Sequence, residues 1–77
     1  MEAEVGQKVS ITSGEPEDIS YFTATVLILE KNPVTYFGME PTHEYLGKVL
    51  SITGYKNSIN HLSNTLYIYE TDITEIL

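Results

Sequence analysis

Seventy-seven residues without a Cys make one small domain that no disulfide reinforces. Eleven acids stand against four Lys and no Arg, for a formal net charge of -7. That balance argues against direct nucleic-acid binding, because the net field repels a polyanion and the guanidinium fork for phosphates and base edges is missing.

A domain this small buries only about 60% of the surface its unfolded chain exposes. A homodimer that covers a second apolar face is therefore expected. The missing Cys fits a reducing, cytoplasmic setting. Glu2 and Glu4 behind Met1 are the opposite of a signal peptide's basic start. No apolar run approaches the roughly 20 residues of a membrane span, and anionic membranes are disfavoured by charge. A partner with a basic surface is attracted instead, at a rate that falls with salt. Moderate acidity also simply keeps a small domain soluble.

In chain order, residues 1–7 read as a lightly attached end with Glu2 and Glu4 in solvent. Lys8 to Thr12 alternates polar and apolar, a half-buried strand with Val9 and Ile11 inward. Residues 13–18 form a loop punctuated by Gly14 and Pro16, with Glu15, Glu17 and Asp18 at its tip. Ile19 to Glu30 is the longest run without Gly, Pro or an internal charge, and its β-branched and aromatic content suits a strand. Phe22, Ala24, Val26 and Ile28 share its apolar face. The other face turns apolar at Leu27 and Leu29, which predicts a far end covered on both sides.

Glu30-Lys31-Asn32-Pro33 reads as a turn, Val34 to Phe37 as a short strand ended by Gly38, and 39–44 as a loop. Tyr45 to Thr53 returns as a strand with Leu46, Leu50 and Ile52 on one side. Gly47 inside it hints at a bulge or a close backbone approach. Residues 54–64 read as a loop, with Ile59 and Leu62 spaced for one helical turn capped by Asn57 or Ser58. Thr65 to Glu70 alternates clearly, Leu66 and Ile68 inward and Tyr67 and Tyr69 outward. Residues 71–77 make a short strand or one helical turn, with Ile73, Ile76 and Leu77 available to the core. The sum is mainly β: a small antiparallel sheet of about five strands with at most one short helical turn, curled into a barrel or packed as a sandwich.

Val5-Gly6-Gln7-Lys8-Val9-Ser10-Ile11-Thr12-Ser13-Gly14 resembles the first strand of SH3-like barrels, including the KOW modules of ribosomal and transcription proteins. In that family a Gly precedes the strand and a second Gly opens the next loop. The resemblance implies an SH3-like barrel. It does not carry the family's RNA-binding role, because Glu15, Glu17 and Asp18 stand where basic loop residues are usual.

No Cys or paired nucleophile and base is available for covalent catalysis, and no phosphate-loop or kinase signature is present. His43 and His61 sit in loop-like stretches and read as solvated. His43 and Glu44 are neighbours that face opposite ways on an extended chain, and no Ca²⁺-loop pattern exists, so neither a metal nor a cofactor is expected. Tyr21, Tyr36, Phe37, Tyr45, Tyr55, Tyr67 and Tyr69 are many for this length. They serve either as rigid interface anchors or as ordinary sheet cover. Tyr67 and Tyr69, on the solvent side of an edge strand, are the best interface candidates.

The acids gather at loops and ends: Glu15, Glu17 and Asp18, then Glu40 and Glu44, then Glu70 and Asp72. Acids two apart on extended chain are spaced about 6.6 Å, of the order of successive phosphates. Glu15/Glu17 and Glu2/Glu4 have that sequence spacing. In size, acidity, missing Cys and β pattern the whole chain is similar to small bacteriophage proteins that block host DNA-binding proteins by mimicking DNA, among them the inhibitors of the histone-like protein HU. The resemblance implies a non-enzymatic inhibitor that sits on the basic DNA-binding surface of a host protein. An SH3-like adaptor or assembly subunit, binding through Tyr36, Phe37, Tyr67 and Tyr69, is the alternative.

Overall fold

The apolar runs pair into strands, and in the computed structural model, which describes residues 1–19, 21–54 and 64–77, the strands join one antiparallel sheet. Strands β1 (Lys8–Ser13), β2 (Phe22–Val34), β3 (Thr42–Gly54), β4 (Thr65–Tyr69) and β5 (Ile73–Ile76) lie in the order β4-β3-β2-β1-β5. A 3₁₀ turn, Glu70–Asp72, links the two edge strands. Three residues span little distance, so the sheet rolls until its edges approach. This is the predicted curled, SH3-like arrangement, with one difference. No ladder joins β4 to β5 among the described residues, so the sheet is rolled but not closed. The helical turn predicted around Ile59 and Leu62 lies outside the described residues.

The concave face is the core. Ala24, Val26 and Ile28 of β2 are buried there, as their alternation predicts, with Phe22 packed beside them. Val9 and Ile11 sit directly opposite Val26 and Ala24. Tyr45 and Val49 of β3, Ile68 of β4 and Ile73 of β5 complete it. Each fully buried Val or Ile contributes about 1.5–3 kcal/mol relative to exposure.

Three bulges decide which residues face inward. Leu29 of β2, Leu50 of β3 and Thr74 of β5 are the extra residues, seen as register shifts against their partner strands. Each shifts the inward parity by one, because side chains alternate strictly between faces. On β3 the inward set is therefore Tyr45, Gly47 and Val49, and then Ile52. The predicted trio of Leu46, Leu50 and Ile52 does not share a face, and Leu50 is exposed. Leu29 is exposed too, so the far end of β2 is not covered on both sides.

The predicted turn at 30–33 is strand, and the predicted strand at 34–37 is largely turn. β2 continues through Pro33 to Val34, and β3 already begins at Thr42. Pro33 is tolerated because β1 pairs only with Phe22 to Leu27 and residues 6–7 bond β2 no further than Ile28, well before Pro33. The result is one long hairpin, from Phe22↔Gly54 at its base to Val34↔Thr42 at its tip.

The N-terminal end is anchored rather than loose. Ala3 is buried, and its amide donates to the Tyr45 hydroxyl at 3.0 Å. The Met1 ammonium donates to the Glu70 carbonyl at 2.8 Å, and Gly6 donates to the Ile28 carbonyl at 2.8 Å. Residues 1–7 thus strap the open concave side near the hairpin tip. Tyr45, read from the sequence as an interface anchor or as sheet cover, is buried under this strap. Burial holds its phenol above the ordinary value, despite the Ala3 amide.

Candidate functional site

The hairpin separates the predicted site residues into two groups. Glu15, Glu17 and Asp18 occupy the β1–β2 loop at the hairpin base. Glu40 and Glu44 lie at the tip, with Tyr67, Tyr69, Glu70 and Asp72 beside it. Twelve strand steps at about 3.3 Å each place the two ends on the order of 35–40 Å apart, comparable with the longest molecular dimension of 35 Å. No single face carries all of these acids.

The base loop also lacks the predicted extended spacing. Asp18 donates its amide to the Glu15 carbonyl at 2.8 Å, which closes a turn with Pro16 at its second position. Glu15 and Glu17 therefore flank a bend rather than a straight run. Glu2 and Glu4 are not free either. Their carboxylates bind Lys31 Nζ at 2.7 and 2.8 Å. The Lys31 ammonium holds the Glu2 carboxyl below its ordinary range, and the two glutamates raise Lys31 above its own.

At the tip, the two faces of β3 do different things. On the convex face, a turn over residues 36–39 is closed by the Met39 amide donating to the Tyr36 carbonyl at 3.0 Å. Gly38 takes its third position with φ +77°, a left-handed conformation that favours glycine. The turn brings Tyr36 and Met39 side by side and leaves Phe37 fully in solvent. Tyr69 of β4 meets Tyr36 edge-on, with ring centroids 6.5 Å apart. Tyr36, Met39 and Tyr69 line a shallow apolar recess of about 350 Å³. Tyr67 stands exposed two residues along the same edge strand, and Glu44 pairs directly with Tyr69 across the ladder. Hydrogen bonding with Tyr69, then burial and the Glu44 charge, hold the Tyr36 phenol above its ordinary value.

On the concave face, the Glu70 carboxylate accepts a hydrogen bond at Oε1 from His43 Nδ1 at 2.8 Å. Glu2 Oε1 is 4.0 Å from the same nitrogen. Asp72 accepts the Tyr69 amide at 2.9 Å and so braces the 3₁₀ turn. Two of the predicted partner-facing acids, Glu70 and Asp72, are thus engaged within the chain. Glu44 and the exposed Glu40 remain beside the aromatic recess. A second recess, of about 90 Å³, lies mid-sheet among Ser10, Thr23, Thr25, Ser51 and Thr53. Its hydroxyls have no base among them, and Thr23 and Thr53 bond each other at 2.8 Å.

The sequence pointed to Tyr67 and Tyr69 through the alternation of β4, and to Tyr36 and Phe37 as aromatics. Met39 carried no signal, because only the 36–39 turn places it against Tyr36. Compared with known proteins, the chain gives no match to a protein-family model, to a curated protein or to a solved structure. Among the described residues no helix is long and apolar enough to cross a membrane.

Proposed function

We propose that this chain is a non-enzymatic binding domain whose convex aromatic corner docks on a basic surface of another protein. The observation that carries the reading is the recess itself: Tyr36, Met39 and Tyr69, from two separate segments, form an open apolar floor beside Glu44 on a chain of net charge -7. Clustered apolar side chains left in water mark interaction sites more often than scattered ones do. Tyrosines supply short-range anchoring there. The net negative charge supplies long-range steering toward a basic partner.

Where that basic surface normally holds DNA, as on a histone-like nucleoid protein, occupation excludes DNA and the domain acts as an inhibitor. The acids of the base loop add to the field in this reading, but their bent backbone gives no support to a straight row of phosphate-like charges. A purely apolar contact, as in an SH3-like adaptor, is the second reading, favoured by the predominantly apolar lining of the recess.

The test is displacement of a histone-like protein from labelled duplex DNA, followed by fluorescence anisotropy over a salt series. Displacement that weakens steeply with salt is expected. Tyr36→Ala with Tyr69→Ala should weaken it by more than tenfold, since interface anchors are each worth about 2 kcal/mol or more. Binding indifferent to salt favours the adaptor. Full displacement by the double tyrosine variant overturns the role of the corner.

A further inference from the structure

His43 and Glu44 are sequence neighbours on opposite faces of β3, so no local motif joins His43 to a carboxylate. The fold supplies two from elsewhere. Glu2 arrives on the N-terminal strap and Glu70 on the 3₁₀ turn. One donor atom from each of Glu2, His43 and Glu70 lies within 4.8 Å of the others. We infer that this side-chain cluster binds one divalent transition-metal cation, with Glu2 Oε1, His43 Nδ1 and Glu70 Oε1 as ligands and water completing the shell.

The geometry needs little adjustment. Ligand atoms about 2.0–2.2 Å from zinc in a tetrahedral site stand roughly 3.3–3.6 Å from one another. The His43–Glu70 and His43–Glu2 separations, 2.8 and 4.0 Å, bracket that range. An imidazole with two carboxylates suits zinc, cobalt or nickel. Calcium and magnesium prefer shells built from oxygen alone.

Lys31 acts as a positioning residue. It holds Glu2 Oε2 at 2.7 Å and leaves Oε1 on the His43 side. Its charge opposes a cation, as does the Met1 ammonium bonded to the Glu70 carbonyl. Glu2, Glu4 and Glu70 still leave the cluster with one negative charge in excess when the imidazole is neutral. Glu2 is an exposed carboxylate, 54% accessible, but the other two ligands are more sheltered. The His43 and Glu70 side chains are only 28% and 27% exposed. A bound cation would tie strap, strand and turn together, on the face opposite the aromatic recess.

The experiment is calorimetric titration of the untagged chain with zinc chloride in a non-coordinating buffer. One saturable site per chain is expected, together with a rise in melting temperature. His43→Ala and Glu70→Gln should each weaken binding by about tenfold or more. The charge-matched Glu15→Gln should leave it within about twofold, and magnesium should not compete. Circular dichroism checks that each variant folds. In the wild-type chain, amide chemical-shift changes on zinc addition should centre on residues 2, 43 and 70. No saturable binding, undiminished binding by His43→Ala, or shift changes centred elsewhere would overturn the site.

Discussion

Replacing Gly47 with Ala probes the tightest approach in the core. Gly47 faces inward on β3, opposite Ile28, and an added Cβ would overlap Val26 Cγ1. Ordinary carbon contacts are about 3.5–4.0 Å. Val26 is fully buried and cannot swing into solvent, so strand or side chain must shift by more than about 1 Å. Overpacking of this kind costs about 1–3 kcal/mol. Alanine's smaller freedom in the unfolded chain returns about 0.4–1 kcal/mol. The net loss is about 1–2 kcal/mol, or roughly 5–15 °C in melting temperature for a domain of this size. Urea and thermal denaturation followed by circular dichroism measure it. Val26→Ala alone should cost about 1.5–3 kcal/mol. In the double variant the new methyl enters space the valine gave up, so the loss should fall short of the sum by about 1 kcal/mol or more. A neutral Gly47→Ala, or strict additivity, would refute the close approach.

Tyr45→Phe removes the acceptor for the buried Ala3 amide. It should cost about 1–3 kcal/mol, and amide exchange should quicken first along residues 1–7. Stability against pH should form a plateau with two shoulders. Lys31 holds Glu2 below its ordinary 4.5, so that contribution is present above this value and is lost as pH falls through the folded value. Tyr45 and Tyr36 are held above 10.0, so the folded chain keeps protons that the unfolded chain releases. Stability is then lost as pH rises beyond about 10. Melting temperatures across the range test both signs. Lys31→Met should flatten the acid shoulder, and a melting temperature that rises above pH 10 would contradict the tyrosine assignment. Tyr67→Ala should weaken partner binding less than Tyr69→Ala, because only Tyr69 lines the recess. Equal losses in a competition assay would move the contact onto the β4 edge.

Much of the sheet is written in local chemistry. Alternation in β1, in β4 and in β2 up to Ile28 depends only on side chains taking turns across a pleat, so Val9, Ile11, Ala24, Val26 and Ile68 were legible as core. Gly47 was legible as a close approach, because glycine inside an apolar strand has few other uses. The bulges at Leu29, Leu50 and Thr74 were not. A bulge answers the curl of the whole sheet and leaves no mark in the residue that forms it. That parity shift is why Leu46, Leu50 and Ile52, expected on one side, do not share a face: it turns Ile52 inward. Pro33 misled for a related reason: its local signal says turn, yet the strand passes through it where β1 has ended.

Length, charge and the periodicity of its apolar residues were enough to make this chain a small acidic β domain. Only the rolled sheet could bring Tyr69 against Tyr36 and Met39, or set Glu2 and Glu70 around His43. Those side chains come from segments far apart in sequence. Pairing register and the path of the N-terminal strap, which are properties of the whole fold, bring them within reach of one another.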